Sequence, residues 1–176
     1  MPLLAILLLA APATAAAPAA VTDTYPTTKG TFGVTFYLPN SVDTHLVGAT
    51  YFVSNDTAAR IDFGLNAPVK PSGQSIIFTT SLGLRLFAIK HERVGVYLQP
   101  AFAFGNEISP AVAANSAWFV RFGAGAGVEY FFTNRFSAGA LFDVGLKFAN
   151  ISGPGGTPTY ITLSTTTSAI SANVYF

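Results

Sequence analysis

Residues 117–148 read AWFVRFGAGAGVEYFFTNRFSAGALFDVGLKF. Val120, Phe122, Ala124, Ala126, Val128 and Tyr130 fall on one side of a two-residue alternation, and Arg121, Gly123, Gly125, Gly127 and Glu129 fall on the other. After Thr133-Asn134 the alternation resumes, with Phe136, Ala138, Ala140, Phe142, Val144, Leu146 and Phe148 opposing Ser137, Gly139, Asp143, Gly145 and Lys147. A period of two belongs to β-strands, and two such runs joined by a tight polar turn make a hairpin. One face of this hairpin is wholly apolar; the other carries glycines and charges.

The same unit recurs. VGATYFVSNDTAARIDFGL (47–65) aligns with AGVEYFFTNRFSAGALFDVGL (126–146), and LGLRLFAIKHERVGVYL (82–98) fits more loosely. Strands are expected at 30–38, 45–54, 58–66, 75–89, 93–104, 117–132, 135–148 and 160–176. Their connections alternate: SNDT (54–57), KHE (90–92) and TN (133–134) are tight, while PNSVDT (39–44), APVKPSGQ (67–74), GNEISPAVAANS (105–116) and NISGPGGTPT (150–159) are longer. A repeating hairpin with turns on one rim and loops on the other fits a closed up-and-down barrel. Pro100 removes a ladder donor from the fifth strand, so a bulge or local break is expected there. The outer half of the last strand, TYITLSTTTS (159–168), is rich in hydroxyls and its facing is the least determined.

Charge decides which face is outside. None of the seventeen Asp, Glu, Lys and Arg residues falls on the apolar face of any expected strand. Arg60, Asp62, Arg85, Arg121, Glu129, Asp143 and Lys147 fall on the opposite face, and the rest on the N-terminal segment, turns or loops. A charge facing lipid near the bilayer midplane costs roughly 2–4 kcal/mol. With 51% hydrophobic and 10% charged residues and a mean hydropathy of +0.47, much of this chain is covered by something other than water. No apolar run after residue 21 reaches the roughly 18 residues of a spanning helix, so a spanning structure must be a closed barrel. The expected fold is all-β, an eight-stranded antiparallel up-and-down transmembrane β-barrel. Eight strands enclose only room for side chains, so the seven inward charges are expected to pair as an interior polar network that plugs the lumen. Aromatic girdles are expected from Tyr51, Tyr130, Phe136 and Phe176 on the turn side and Phe104, Trp118 and Phe148 on the loop side.

Residues 1–20, MPLLAILLLAAPATAAAPAA, combine an apolar stretch, Pro12 and small residues offering an A-x-A cleavage site, as in a secretory signal peptide cut near Ala15 to Ala20. The segment lacks the usual Lys or Arg, so an uncleaved anchor helix is the alternative. Residues 21–29 then form a short periplasmic segment and 30–176 the barrel domain. Short turns face the periplasm and longer loops the exterior in bacterial barrels, which puts both termini in the periplasm.

The last residues, SAISANVYF (168–176), put Ile170, Ala172, Val174 and terminal Phe176 on one face. This pattern resembles the C-terminal sorting signal of bacterial outer-membrane barrels, and GVEYFFTNRFSAGA (127–140) resembles the strand-turn-strand near the end of the OmpA/OmpX-like small barrel family. The resemblance runs from about Gly30 to Phe176. It implies a Gram-negative outer membrane, insertion by the outer-membrane assembly machinery with Ile170, Val174 and Phe176 as the sorting signal, contact with outer-membrane lipid and lipopolysaccharide, and no shared catalytic activity. The function expected is non-enzymatic, structural or surface-interacting, through a ligand of the extracellular loops.

Other functional classes would rest on single features of the chain. A lipid-modifying barrel enzyme would need a hydroxyl and a base near the outer rim, where His45 follows Ser41 and Asp43. His91 sits in a tight turn beside Lys90 and Glu92. A soluble lipocalin-like barrel would invert the faces, lining a cavity with apolar residues. Two separated histidines and no cysteine give no metal-ligand spacing and no disulfide. GPGG (153–156) precedes a strand and reads as a turn, so no cofactor is expected. A net charge of +1 without a basic cluster gives nucleic acid no docking face.

Overall fold

The computed structural model describes residues 27–38, 45–66, 76–108, 116–152 and 159–176; the side chains at 45, 46, 66, 116, 151, 152 and 165–168 lie outside that description. The signal-peptide stretch 1–20, residues 21–26, Ser41 and Asp43 lie outside it too. Eight strands form in chain order: β1 (Phe32–Tyr37), β2 (His45–Phe52), β3 (Thr57–Asn66), β4 (Ile76–His91), β5 (Val94–Ile108), β6 (Ser116–Phe131), β7 (Phe136–Ser152) and β8 (Thr159–Tyr175). Each pairs antiparallel with the next, and β1 pairs with β8 through Gly33↔Tyr175 to Tyr37↔Ser171, closing the barrel. That closing seam is made by five residue pairs at the turn-side end of β8.

The barrel is staggered. From Val34, direct partners run through Ala49, Ile61, Leu82, Phe102, Phe122 and Leu146 to Leu163 on β8. Val34 itself pairs with Val174, eleven residues further along the same strand. Such a stagger requires strands tilted by roughly 35–45°. The whole path lies on the outer face, whose large side chains, among them Leu82, Phe102, Phe122 and Leu146, are exposed.

The repeat seen in the sequence has a structural meaning. In its two best-aligned copies the turns are built alike: Val53 and Ser54 donate their N–H groups to the Thr57 carbonyl at 3.0 and 3.2 Å, and Phe132 and Thr133 donate to the Phe136 carbonyl at the same distances. The corresponding side chains Ser54 Oγ and Thr133 Oγ1 accept from the amides of Asp56 and Arg135. The sixth residue of each copy, Phe52, Phe87 and Phe131, turns into the lumen, and with Tyr97 and Tyr175 these form the buried aromatic layer. Phe52, Phe87, Phe131 and Tyr175 donate backbone N–H groups at 2.7–2.9 Å to Thr31, Asp56, Arg93 and Arg135, so a hydrogen bond of the same kind recurs four times around this rim. Ring centroids 5.4–6.2 Å apart join Tyr97, Phe87, Phe52, Tyr175 and Phe131. The turn-side mouth is closed by aromatic packing.

β4, β5 and β7 outrun their sequence boundaries, while β1 and β2 fall short of the expected 30–38 and 45–54. β4 continues to His91, so its turn shrinks to Glu92-Arg93, with Glu92 at a φ of 49°. β5 continues to Ile108 and β7 to Ser152, taking Gly105–Ile108 and Asn150–Ser152 from the expected loops. At Pro100 the ladder breaks locally without a bulge: pairing with β6 runs straight through Pro100↔Ala124, while pairing with β4 lapses between Gly83↔Ala101 and Leu86↔Leu98 at unchanged register. The N–H that proline lacks is the one that would have met β4. The bulge in this pair sits nearer the turn, between Phe87 and Ile89. A second bulge, between Leu141 and Asp143, shifts β8 so that Ile161 and Leu163 face outward before it and Ile170 after it. No single alternation runs through the last strand for that reason.

Candidate functional site

The residues that carry chemistry meet inside the barrel, in three groups along its axis. Just above the aromatic layer lies Glu129, fully buried. Its Oε2 accepts from Arg85 Nη1 at 3.1 Å, and its Oε1 accepts from Asn173 Nδ2 at 2.9 Å and from the hydroxyls of Tyr175 and Ser137. Arg85 also donates Nε–H to Gln99 Oε1 at 3.1 Å and lies 4.6 Å over the Tyr97 ring. Thr35 donates to Asn173 Oδ1 at 2.7 Å. Charge in this layer is balanced and well hydrogen-bonded, as burial away from water requires. Large lumen side chains fit because glycines face them: a Cβ on Gly127 would come within 2.3 Å of the Tyr97 ring.

The second group sits on β3. Arg60 Nε donates to Asp62 Oδ1 at 2.8 Å and Oδ2 at 3.0 Å, Tyr37 OH donates to Oδ1 at 2.9 Å and accepts from Arg60 Nη2, and Ser81 Oγ donates to Oδ2 at 3.3 Å. Arg60 Nη1 is buried without a partner. Gly48, directly opposite Asp62, leaves the carboxylate its place: a Cβ there would come within 2.0 Å of Oδ1.

The third group faces the loop side. Arg121 and Asp143, on neighbouring strands, form a two-pronged pair at 2.8 and 2.9 Å, and Arg121 Nε donates to Ser164 Oγ at 2.8 Å. Their side chains keep 16% and 13% exposure, against 2% and 0% for Arg85 and Glu129. Lys147, opposite Arg121 on β7, lies 4.1 Å over the Phe119 ring and makes no ion pair among the described residues. The extension of β5 adds Glu107 to the inward alternation near the loop rim.

The seven charged residues singled out in the sequence are thus divided into three ion pairs and one cation on an aromatic ring. Ser137, already on the inward side of the sequence alternation, joins them, and so do Tyr37, Tyr97, Gln99, Asn173 and Tyr175, whose signal is the same inward alternation and which a search for charges passes over. His45 opens β2 opposite Gly64, its side chain outside the description, and His91 is exposed at the end of β4. No group of three or more candidate metal ligands occurs among the described residues. Ile170 and Phe176 face outward and Val174 shares their side, while Ser171, Asn173 and Tyr175 are buried between them.

Among solved structures, the chain is similar to the crystal structure of the N-terminal β-barrel domain of Pseudomonas aeruginosa OprF. The TM-score is 0.55 at 14% sequence identity, over 84% of this chain and 98% of that domain. No family model and no curated protein matches. The likeness is one of fold.

Proposed function

We propose that this protein is a non-enzymatic barrel of the bacterial outer membrane, related to the OmpA/OmpX-like small barrels, with a structural role in the envelope and loops that meet ligands at the cell surface. One observation carries the reading. Every strand exposes large apolar side chains on the outer face, while Arg60, Asp62, Arg85, Arg121, Glu129, Asp143 and Lys147 all sit within the lumen side of the wall. In water such a surface is an aggregation hazard; in a bilayer it is the required one. The division of faces is the reverse of what a soluble ligand-binding barrel needs, and the filled turn-side lumen gives a ligand no cavity there.

On this reading residues 1–20 direct export, both termini stand in the periplasm, and Ile170, Val174 and Phe176 are read by the assembly machinery. Outer-membrane lipid and lipopolysaccharide surround the wall. The full chain expressed in a Gram-negative host is expected to sediment with the outer membrane, and Phe176→Ser to lower its amount there several-fold. Recovery of the wild-type chain as a soluble periplasmic protein would overturn the proposal. A loop-deletion series that left cell-surface adhesion and envelope integrity unchanged would remove the surface role and leave the structural one.

A further inference from the structure

Trp118 is the chain's single tryptophan, and it stands on the outer face of β6 near the loop rim, 44% exposed. Its direct partners on the two neighbouring strands are Asn106 of β5 and Asn150 of β7. Register is unbroken on both sides of β6, so the two amides share the indole's face. Beyond them the row continues to Phe78 and Thr159 and contains no charge. Asn106 Oδ1 and Asn150 Oδ1 are both buried without a hydrogen-bond partner, two of four such side-chain atoms among the described residues. Buried acceptors are ordinarily satisfied. Two orphans placed symmetrically about one aromatic ring mark a place where a donor is missing.

We infer that Asn106, Trp118 and Asn150 form a clamp for the sugar headgroup of a glycolipid. The indole offers a flat apolar platform to the C–H face of a sugar ring, and the amides on either side take hydroxyl donors at its edges. Strands lie about 4.8 Å apart, so the two asparagines stand about 10 Å apart across the tryptophan. One or two sugar rings bridge that span; a phosphocholine or phosphoethanolamine group reaches one asparagine at most. With no Lys or Arg in the row, a phosphate finds no counter-charge. The broad terminal torsion of asparagine lets each oxygen turn toward a donor without backbone movement. The inference rests on the outer-membrane reading, which puts this row among the headgroups of the outer leaflet.

Because Trp118 is the sole tryptophan, its fluorescence reports the site alone. The chain is refolded into phosphatidylcholine vesicles with increasing amounts of a diglucosyl diacylglycerol, and tryptophan emission and iodide quenching are followed. The expected result is a blue shift with reduced quenching, saturating with glycolipid. The N106A/N150A double variant needs at least about tenfold more glycolipid, as expected for the loss of two net hydrogen bonds. Maltose in solution leaves the emission unchanged. Equal titrations for the wild type and the double variant, or no response from a wild-type barrel that floats with the vesicles, would overturn the clamp. A response to maltose alone would overturn the lipid assignment. A chain that never floats with vesicles would instead contradict the outer-membrane reading itself.

Discussion

The two ends of the lumen are built differently from the same kind of strand. On the turn side, Phe52, Phe87, Tyr97, Phe131 and Tyr175 close the mouth, and the Arg85–Glu129 pair above them is sealed from solvent. On the loop side, Arg121 and Asp143 are partly exposed, and Lys147 has an aromatic ring for a partner and no acid among the described residues. The difference follows from the repeat. Three hairpin copies each send one phenylalanine inward at the same level next to a tight turn, whereas nothing in the repeat fixes what lies beyond the strands' midpoint. The turn side is a filled plug, and among the described residues the charges toward the loop side keep more exposure.

That contrast can be broken by single substitutions read as urea midpoints in lipid vesicles. Glu129→Ala should have the largest effect, about 3–5 kcal/mol, because it leaves the Arg85 guanidinium buried without its acid. Gly127→Ala comes next: its Cβ would meet the Tyr97 ring at 2.3 Å, and overpacking of this kind costs about 1–3 kcal/mol. Arg121→Ala should cost about 1–2 kcal/mol, between the values for buried and surface pairs. Lys147→Met should change stability by less than about 1 kcal/mol, since a cation–π contact is lost and no acid is stranded. Equal losses for Glu129→Ala and Arg121→Ala would mean that the two halves are equally sealed. A large loss for Lys147→Met would mean that the loop side is a plug as well.

Strands and faces were legible in the sequence because a charge every few residues marks the inward side, as Arg121, Glu129, Asp143 and Lys147 do on β6 and β7. Partners across the lumen were not. Arg85 and Glu129 are 44 residues apart and meet only through the barrel's stagger, which no local pattern encodes. Bulges were invisible for a related reason: in TYITLSTTTS hydroxyls on both sides hide the change of parity opposite Leu141 and Asp143. The strand extensions past Phe104 and Phe148 were lost because Asn106 and Asn150 are turn-forming residues that here continue a ladder beside Trp118. Pro100 was legible as a break, and the geometry adds that the break faces β4 alone.

Migration of the refolded protein on a detergent gel, with and without boiling, decides whether this apolar outer face meets lipid. A lipid-facing barrel gives a compact, β-rich form that runs faster unboiled and shifts to its full apparent mass on heating. A protein that folds and stays monomeric in buffer without detergent or lipid would contradict it.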